Sequence, residues 1–190
     1  MPSSPKPRLV GISGSLRKNS YCTAVLATLA DAIADRAALE IVSLDRLPFY
    51  NQDLDTETPP SAVADFRRAL MLADGIVMVS PEFNYGVPGV IKNAIDWASR
   101  PYGRAALTRK PVLTATASPA FTGGVRAHVQ LSEALRACFS VMPARPDIII
   151  GGVHEKIRNG RLEDRATIEF LTAGINDLLA EISAHQIIRL

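Results

Sequence analysis

The stretch VSPEFNYGVPGVIKNAIDWASRP, Val79–Pro101, decides how this chain is read. It leaves the apolar run GIVMVS (75–80), passes through PEFNYGVPG (81–89) and only then enters an amphipathic helical pattern. A plain connection needs only a few turn residues. This one carries two prolines, two aromatics and two glycines with one carboxylate and one amide. Pro81 and Pro88 stiffen the backbone, while Gly86 and Gly89 permit close approach. Such a loop is either shaped for something flat and partly apolar, or it is a rigid turn whose aromatics pack on the core.

Working outward, GIVMVS has three counterparts, RLVGIS (8–13), PVLTATA (111–117) and DIIIGG (147–152), and a weaker fifth run, LEIVSL (39–44). The four strong runs are continuously apolar, as strands are when helices cover both faces of a parallel sheet. Helical patterns fill the intervals at 19–36, 61–73, 88–100, 124–139 and 164–185, with Val25, Leu26, Leu29 and Ile33 marking one face of the first. Five β-α units predict a doubly wound α/β domain with right-handed crossovers. Their spacing suits a flavodoxin-like five-stranded parallel sheet of order 2-1-3-4-5, since a six-stranded dinucleotide-binding order needs more chain. The charged segment HEKIRNGRLED (154–164) reads as a solvated excursion with a tight turn at Asn159-Gly160.

A chain of 190 residues, 47% apolar and 21% charged, is read as a single domain over 1–190, with 1–7 a loose N-terminal tail. A net charge of +2 without a long basic run gives no support to nucleic acid or membrane binding. The polar, proline-rich start lacks the apolar core of a signal peptide, and no apolar run approaches a membrane span. Cys22 and Cys138 fall in no metal-binding or C-x-x-C spacing and suit a reducing compartment, so a cytoplasmic location is expected.

In such sheets ligands bind beyond the carboxyl ends of the strands, beside the switch point between the first and third. Three loops meet there. In GISGSLRKNSYCTAVL (11–26), Gly14 allows a sharp turn, and Ser15, Ser20 and backbone amides at the helix start can face one anion. Arg17 adds a planar fork for two phosphate oxygens. The alternative is a serine-capped helix start with an exposed Arg and Lys. The glycines do not make G-x-G-x-x-G, Asp45 lies too far on for a ribose-binding acid, and a Walker lysine is absent, so a mononucleotide phosphate is favoured over a dinucleotide. In the second loop, Phe83 and Tyr85 offer flat faces, and the amides of Glu82, Phe83 and Asn84 can meet a ring edge. The third loop, ASPAFTGGVRAHVQL (117–131), adds Ser118, Pro119 and Gly123-Gly124. A phosphate seat beside a slot for a flat heterocycle describes flavin mononucleotide, FMN.

With these motifs the chain resembles the NAD(P)H-dependent FMN reductases of the flavodoxin-like fold, in the branch of chromate, quinone and azo-dye reductases. The family's P-E-[YF]-N and P-G-x-x-K-N-x-x-D-W are matched by Pro81-Glu82-Phe83-Asn84, Pro88-Gly89, Lys92-Asn93 and Asp96-Trp97. Its G-S-L-R-x-x-S-x-N loop is matched at Gly14, Ser15, Leu16, Arg17 and Ser20, with Cys22 in place of the last asparagine. The resemblance implies FMN as cofactor and NADPH or NADH as donor. The cofactor-binding set it implies is Ser15, Arg17, Ser20, Tyr21 and Cys22 on the first loop and helix start, Pro81, Glu82, Phe83, Asn84 and Tyr85 on the second loop, and Ser118 and Gly123 on the third. It also implies a homodimer or a dimer of dimers, with the helix of Lys92, Asn93, Asp96 and Trp97 as an interface element and Tyr85 and Arg126 as further contacts. From the residues alone, Trp97 reads equally well as core and Lys92/Asp96 as a helical pair.

Flavin carries the redox chemistry itself, so no catalytic side chain is assigned. The three histidines stand in no triad motif. The reading is therefore an enzyme that takes a hydride from NAD(P)H and passes electrons to a small acceptor such as a quinone, chromate, an azo compound or flavin. Two alternatives share the fold: a flavodoxin-type electron carrier, which the slightly positive charge disfavours, and a flavin-free binding protein.

Overall fold

The computed structural model describes residues 5–188. Strand β1 (Arg8–Ser13) leads through a loop to helix α1 (Tyr21–Ala32). The chain continues through β2 (Ala38–Val42), a 3-10 turn (Gln52–Leu54), α2 (Ser61–Leu72), β3 (Gly75–Ser80), α3 (Gly89–Ala98), β4 (Val112–Ala117), α4 (Val125–Ala137) and β5 (Ile148–Ile150). A single turn α5 (Val153–Lys156) and two short strands, β6 (Ile157–Arg158) and β7 (Arg161–Leu162), precede the last helix α6 (Arg165–Ile188). The first five strands form one parallel sheet in the order β2-β1-β3-β4-β5, as the sequence pattern predicts.

Alternation along the strands divides the core in two. Leu9, Val77, Val79, Leu113 and Ala115 pack with Val25, Leu26, Leu29 and Ile33 on one face, joined by Ile175 and Leu178 of α6. Val10, Ile12, Ile76 and Met78 pack on the other with Phe66, Leu70, Ile91, Ile95, Leu131 and Leu135 of α2, α3 and α4. Every residue of β3 and β4 is buried, which is why these runs read as continuously apolar. Because β1 and β3 are neighbours while their helices leave to opposite faces, a crevice opens between their carboxyl ends.

Several expected boundaries move, each for a local reason. Helix α1 starts at Tyr21 because the Ser20 hydroxyl accepts from the Thr23 amide at 3.3 Å and caps it. Strand β5 stops at Ile150: a Cβ on Gly151 would lie 2.3 Å from the Phe121 carbonyl, and Gly152 turns left-handed at φ 58°. The charged excursion is a hairpin, with Asn159 and Gly160 both at positive φ as a type I′ turn requires. Within the expected N-terminal tail, residues 6 and 7 are tied to the domain. The Pro7 carbonyl accepts from Ala38 and Lys6 Nζ donates to the Ala34 carbonyl, while residues 1–4 lie outside the described ones.

Trp97 is core. Its indole N–H donates to the Pro48 carbonyl at 2.8 Å, Asn93 Nδ2 donates to the same oxygen at 2.9 Å, and Asn93 Oδ1 accepts from the Tyr50 amide at 2.7 Å. The two residues thus pin the segment after β2 onto α3. Lys92 and Asp96 pair at 2.5 Å on the helix's more exposed side.

Candidate functional site

The three loops do converge. A cleft of about 130 Å³ is lined by Ser15, Arg17, Ser20, Tyr21 and Cys22 from the first loop and α1, by Pro81, Glu82 and Phe83 from the second, and by Ala117, Ser118 and Pro119 from the third. A neighbouring groove of about 290 Å³ shares Ser15 and Arg17 and extends toward Ser43 and Asp45 beyond β2. Loops one and two touch because residue 14 is glycine: a Cβ there would stand 3.0 Å from Pro81 Cδ and 3.1 Å from Ser80 Cα.

At the floor of the first loop, the Ser13 hydroxyl lies 3.4 Å from that of Ser20 and accepts from the Thr23 hydroxyl at 3.0 Å. Ser13 and Thr23 are absent from the sequence-based set. The signal available was a polar residue closing an apolar strand, where the next loop begins. Tyr21 and Cys22 are the first two residues of α1, so their amides have no helical carbonyl behind them. Arg17 Nη2 donates to the Asn19 carbonyl at 2.8 Å, and its guanidinium lies 5.1 Å from the centre of the Tyr21 ring.

Cys22 differs from a polar contact residue. Its side chain is only 1% exposed and belongs to the apolar cluster of α1 and β3. Burial pushes the thiol up to about 12, against a smaller lowering by the Ser20 hydroxyl, so it stays neutral. The Glu82 carboxylate is anchored to the third loop's helix: Oε2 accepts from the Ala127 amide at 3.0 Å, within the first turn of α4. Ser118 is equally engaged, its hydroxyl accepting from the Ala120 amide at 3.2 Å and its own amide donating to Ile150.

Three residues of the sequence-based set do not line the cleft, and backbone geometry explains each. Phe83 and Gly86 exchange both backbone hydrogen bonds at 3.0 Å, so Asn84 (φ 49°) and Tyr85 (φ 64°) form the tip of a type I′ turn. Tyr85 is carried outward, where the Arg126 guanidinium stands 4.1 Å above its ring. Gly123 (φ 64°) lets the third loop lie on β5, since a Cβ would meet Ile149 Cγ2 at 2.5 Å. Of the two glycines expected to allow close approach, a Cβ on Gly86 would meet Gln130 Oε1 at 2.9 Å, whereas one on Gly89 would meet nothing within 4 Å.

Among the described residues no group of three or more His, Cys, Asp or Glu side chains could hold a metal ion, and no helix is long and apolar enough to cross a membrane.

Sheet order and the position of the cleft define the class: a flavodoxin-like α/β domain with its crevice at the β1/β3 switch point. Residues 7–155 match the family described as NADPH-dependent FMN reductase, and the chain belongs to that family. It is an oxidoreductase with FMN as cofactor and NAD(P)H as electron donor. A quinone reductase of Pseudomonas putida is 39% identical over 168 residues, covering 87% of this chain and 89% of its own. An NAD(P)H-dependent FMN reductase of Pseudomonas aeruginosa is 34% identical over 166 residues, covering 86% and 89%. The solved structure of FerB, a flavoenzyme NAD(P)H:(acceptor) oxidoreductase from Paracoccus denitrificans, superposes with a TM-score of 0.85 at 30% identity, covering 94% of this chain and 98% of that one.

Proposed function

We propose that the cleft holds FMN and that the physiological acceptor is a small planar molecule of the quinone class. The observation carrying this reading is the meeting of a hydroxyl- and amide-rich helix start with an apolar, proline-walled slot in one recess. The donor set suits the cofactor's two ends. Ser15, Ser20, the opening amides of α1 and the Arg17 guanidinium suit a phosphate monoester. Pro81, Phe83, Ala117 and Pro119 suit a flat, partly apolar ring. Bound FMN supplies a redox centre that accepts a hydride from NAD(P)H and returns one or two electrons.

The chain's own part is binding and orientation. Ser20 is fixed by the Thr23 amide, Glu82 is tied to α4, and Ser118 is tied to β5, so the walls are rigid before any ligand arrives. No histidine lines the cleft and one Glu82 oxygen is held by the Ala127 amide, so this reading assigns proton delivery to no side chain. A quinone needs none, because solvent can protonate the reduced product. The relatives called quinone reductase support the acceptor class. Chromate, azo compounds and free flavin are further acceptors under the same reading. Assembly as a homodimer or dimer of dimers in the cytoplasm belongs to the proposal too, with exposed aromatics such as Phe49 and Tyr85 as surfaces a second copy would cover.

The test is an absorbance spectrum of protein given FMN and stripped of excess, before and after anaerobic NADPH, followed by benzoquinone or chromate. Retained bands that bleach with NADPH and return faster with benzoquinone are expected. Bands that stay oxidised would point to an electron carrier, and faster return with chromate would displace the quinone reading.

A further inference from the structure

A cavity of about 360 Å³, larger than the flavin cleft and sharing no lining residue with it, opens at the other end of β4. Its walls are the start of β4 (Val112–Thr114), one side of α4 and the segment 140–148. Its volume falls in the range of small-ligand sites. Helix α4 presents His128, Ser132 and Arg136 to it, a polar stripe at intervals of four residues, on a side that in a helix packed against a sheet is normally apolar.

These groups are left with binding capacity. His128 Nε2 meets the Thr114 hydroxyl at 3.2 Å, but Nδ1 lies 3.6 Å from Asp147 Oδ2, beyond a hydrogen bond. Ser132 is 7% exposed and its hydroxyl has no hydrogen-bond partner among the described residues. Arg136 has no ion pair among them. Arg145 is 8% exposed at its side chain, wedged against Gly174 of α6. Its Nε and Nη2 donate to the Pro146 and Phe170 carbonyls at 3.2 and 3.4 Å, and its Nη1, buried without a hydrogen bond, pairs with the Asp177 carboxylate at 3.5 Å, so Arg145 builds the wall and is already engaged. A buried hydroxyl without a partner, as at Ser132, is costly, and with Arg145 paired to Asp177 it is Arg136 that offsets the lining carboxylate of Asp147.

We propose that this cavity is a second ligand site, separate from the flavin cleft, for a small molecule bearing an oxyanion, either a carboxylate or a phosphate. Ser132 donates its hydroxyl, Arg136 supplies the positive charge, and His128 offers Nδ1. The site does not depend on which acceptor the enzyme reduces.

The test is calorimetric titration of the FMN-loaded protein with inorganic phosphate and, separately, with succinate, at constant ionic strength set by sodium chloride. Loading with FMN keeps the added phosphate out of the first-loop seat. Saturable binding of at least one probe is expected, weakened about tenfold or more in Arg136→Gln, whose side chain is exposed, and also weakened in Ser132→Ala. Both variants are expected to keep their FMN. The stronger probe tells phosphate from carboxylate. No saturable binding of either probe up to about 10 mM would overturn the proposal. So would binding that both variants leave unchanged.

Discussion

At residue 22 side chain and backbone have separate tasks. The thiol is buried among apolar neighbours and stays protonated, so it brings neither charge nor a strong donor to the first loop. The amide, by contrast, belongs to the first turn of α1, where no helical carbonyl precedes it. Under the proposed FMN seat, a cysteine where the resembled motif carries asparagine offers one side-chain contact fewer and leaves the helix start intact. In that seat more of the phosphate's binding then falls on Arg17. Arg17→Ala is expected to weaken FMN binding by at least about 1.5 kcal/mol, roughly tenfold in Kd. Quenching of FMN fluorescence on titration measures it, and an unchanged affinity would remove Arg17 from the seat. Asp45→Ala is the control. Asp45 accepts from the Ser43 hydroxyl at 2.6 Å, which holds its carboxyl below the usual range, and its loss should barely move FMN affinity.

At the scale of elements, the loops are held by what their glycines permit. Gly123 combines a left-handed φ with a Cβ position only 2.5 Å from Ile149 and 2.8 Å from the Gly151 amide, so alanine there must push the third loop off β5. Gly89 opens α3 in free space, where alanine gains helix propensity. Urea unfolding should show Gly123→Ala destabilised by more than about 2 kcal/mol and Gly89→Ala neutral or stabilised by up to about 1 kcal/mol. Equal midpoints would mean that the third loop is not locked to β5. Helix α4 adds a pH effect. Burial holds the His128 imidazole below its ordinary 6.5, opposed by the Asp147 carboxylate and assisted by Arg136. The unfolded chain then binds that proton more readily than the folded one. Stability is fully present above about pH 6.5 and is lost as pH falls toward the folded-state pKa. Between about pH 7.5 and 5.5 the wild type should lose more stability than His128→Gln. Equal losses would assign the acid sensitivity to other groups.

For the molecule as a whole, the sheet was legible because five apolar runs need two helical covers, and their spacing leaves few topologies. The cleft was legible because its composition is unusual at three places that the topology brings together. What stayed hidden were directions. Nothing local in PEFNYG says that Asn84 and Tyr85 become the tip of a left-handed turn, or that Glu82 bonds an amide 45 residues further on. These outcomes depend on contacts between loops, and Trp97 reaching Pro48 is the same kind of event. Since the three loops belong to different β-α units, a ligand that touches all of them should stabilise the entire fold. By mass action, FMN at a hundred times its Kd adds about 2.7 kcal/mol. In a chain of this size that corresponds to roughly 5–10 °C in Tm. Riboflavin has the ring without the phosphate, and at the same concentration it should raise Tm far less. Arg17→Ala should bring the FMN shift down toward the riboflavin value while leaving the riboflavin shift alone. Equal shifts for the two flavins in the wild type would mean that the first loop holds no phosphate and that the ring slot alone carries the binding.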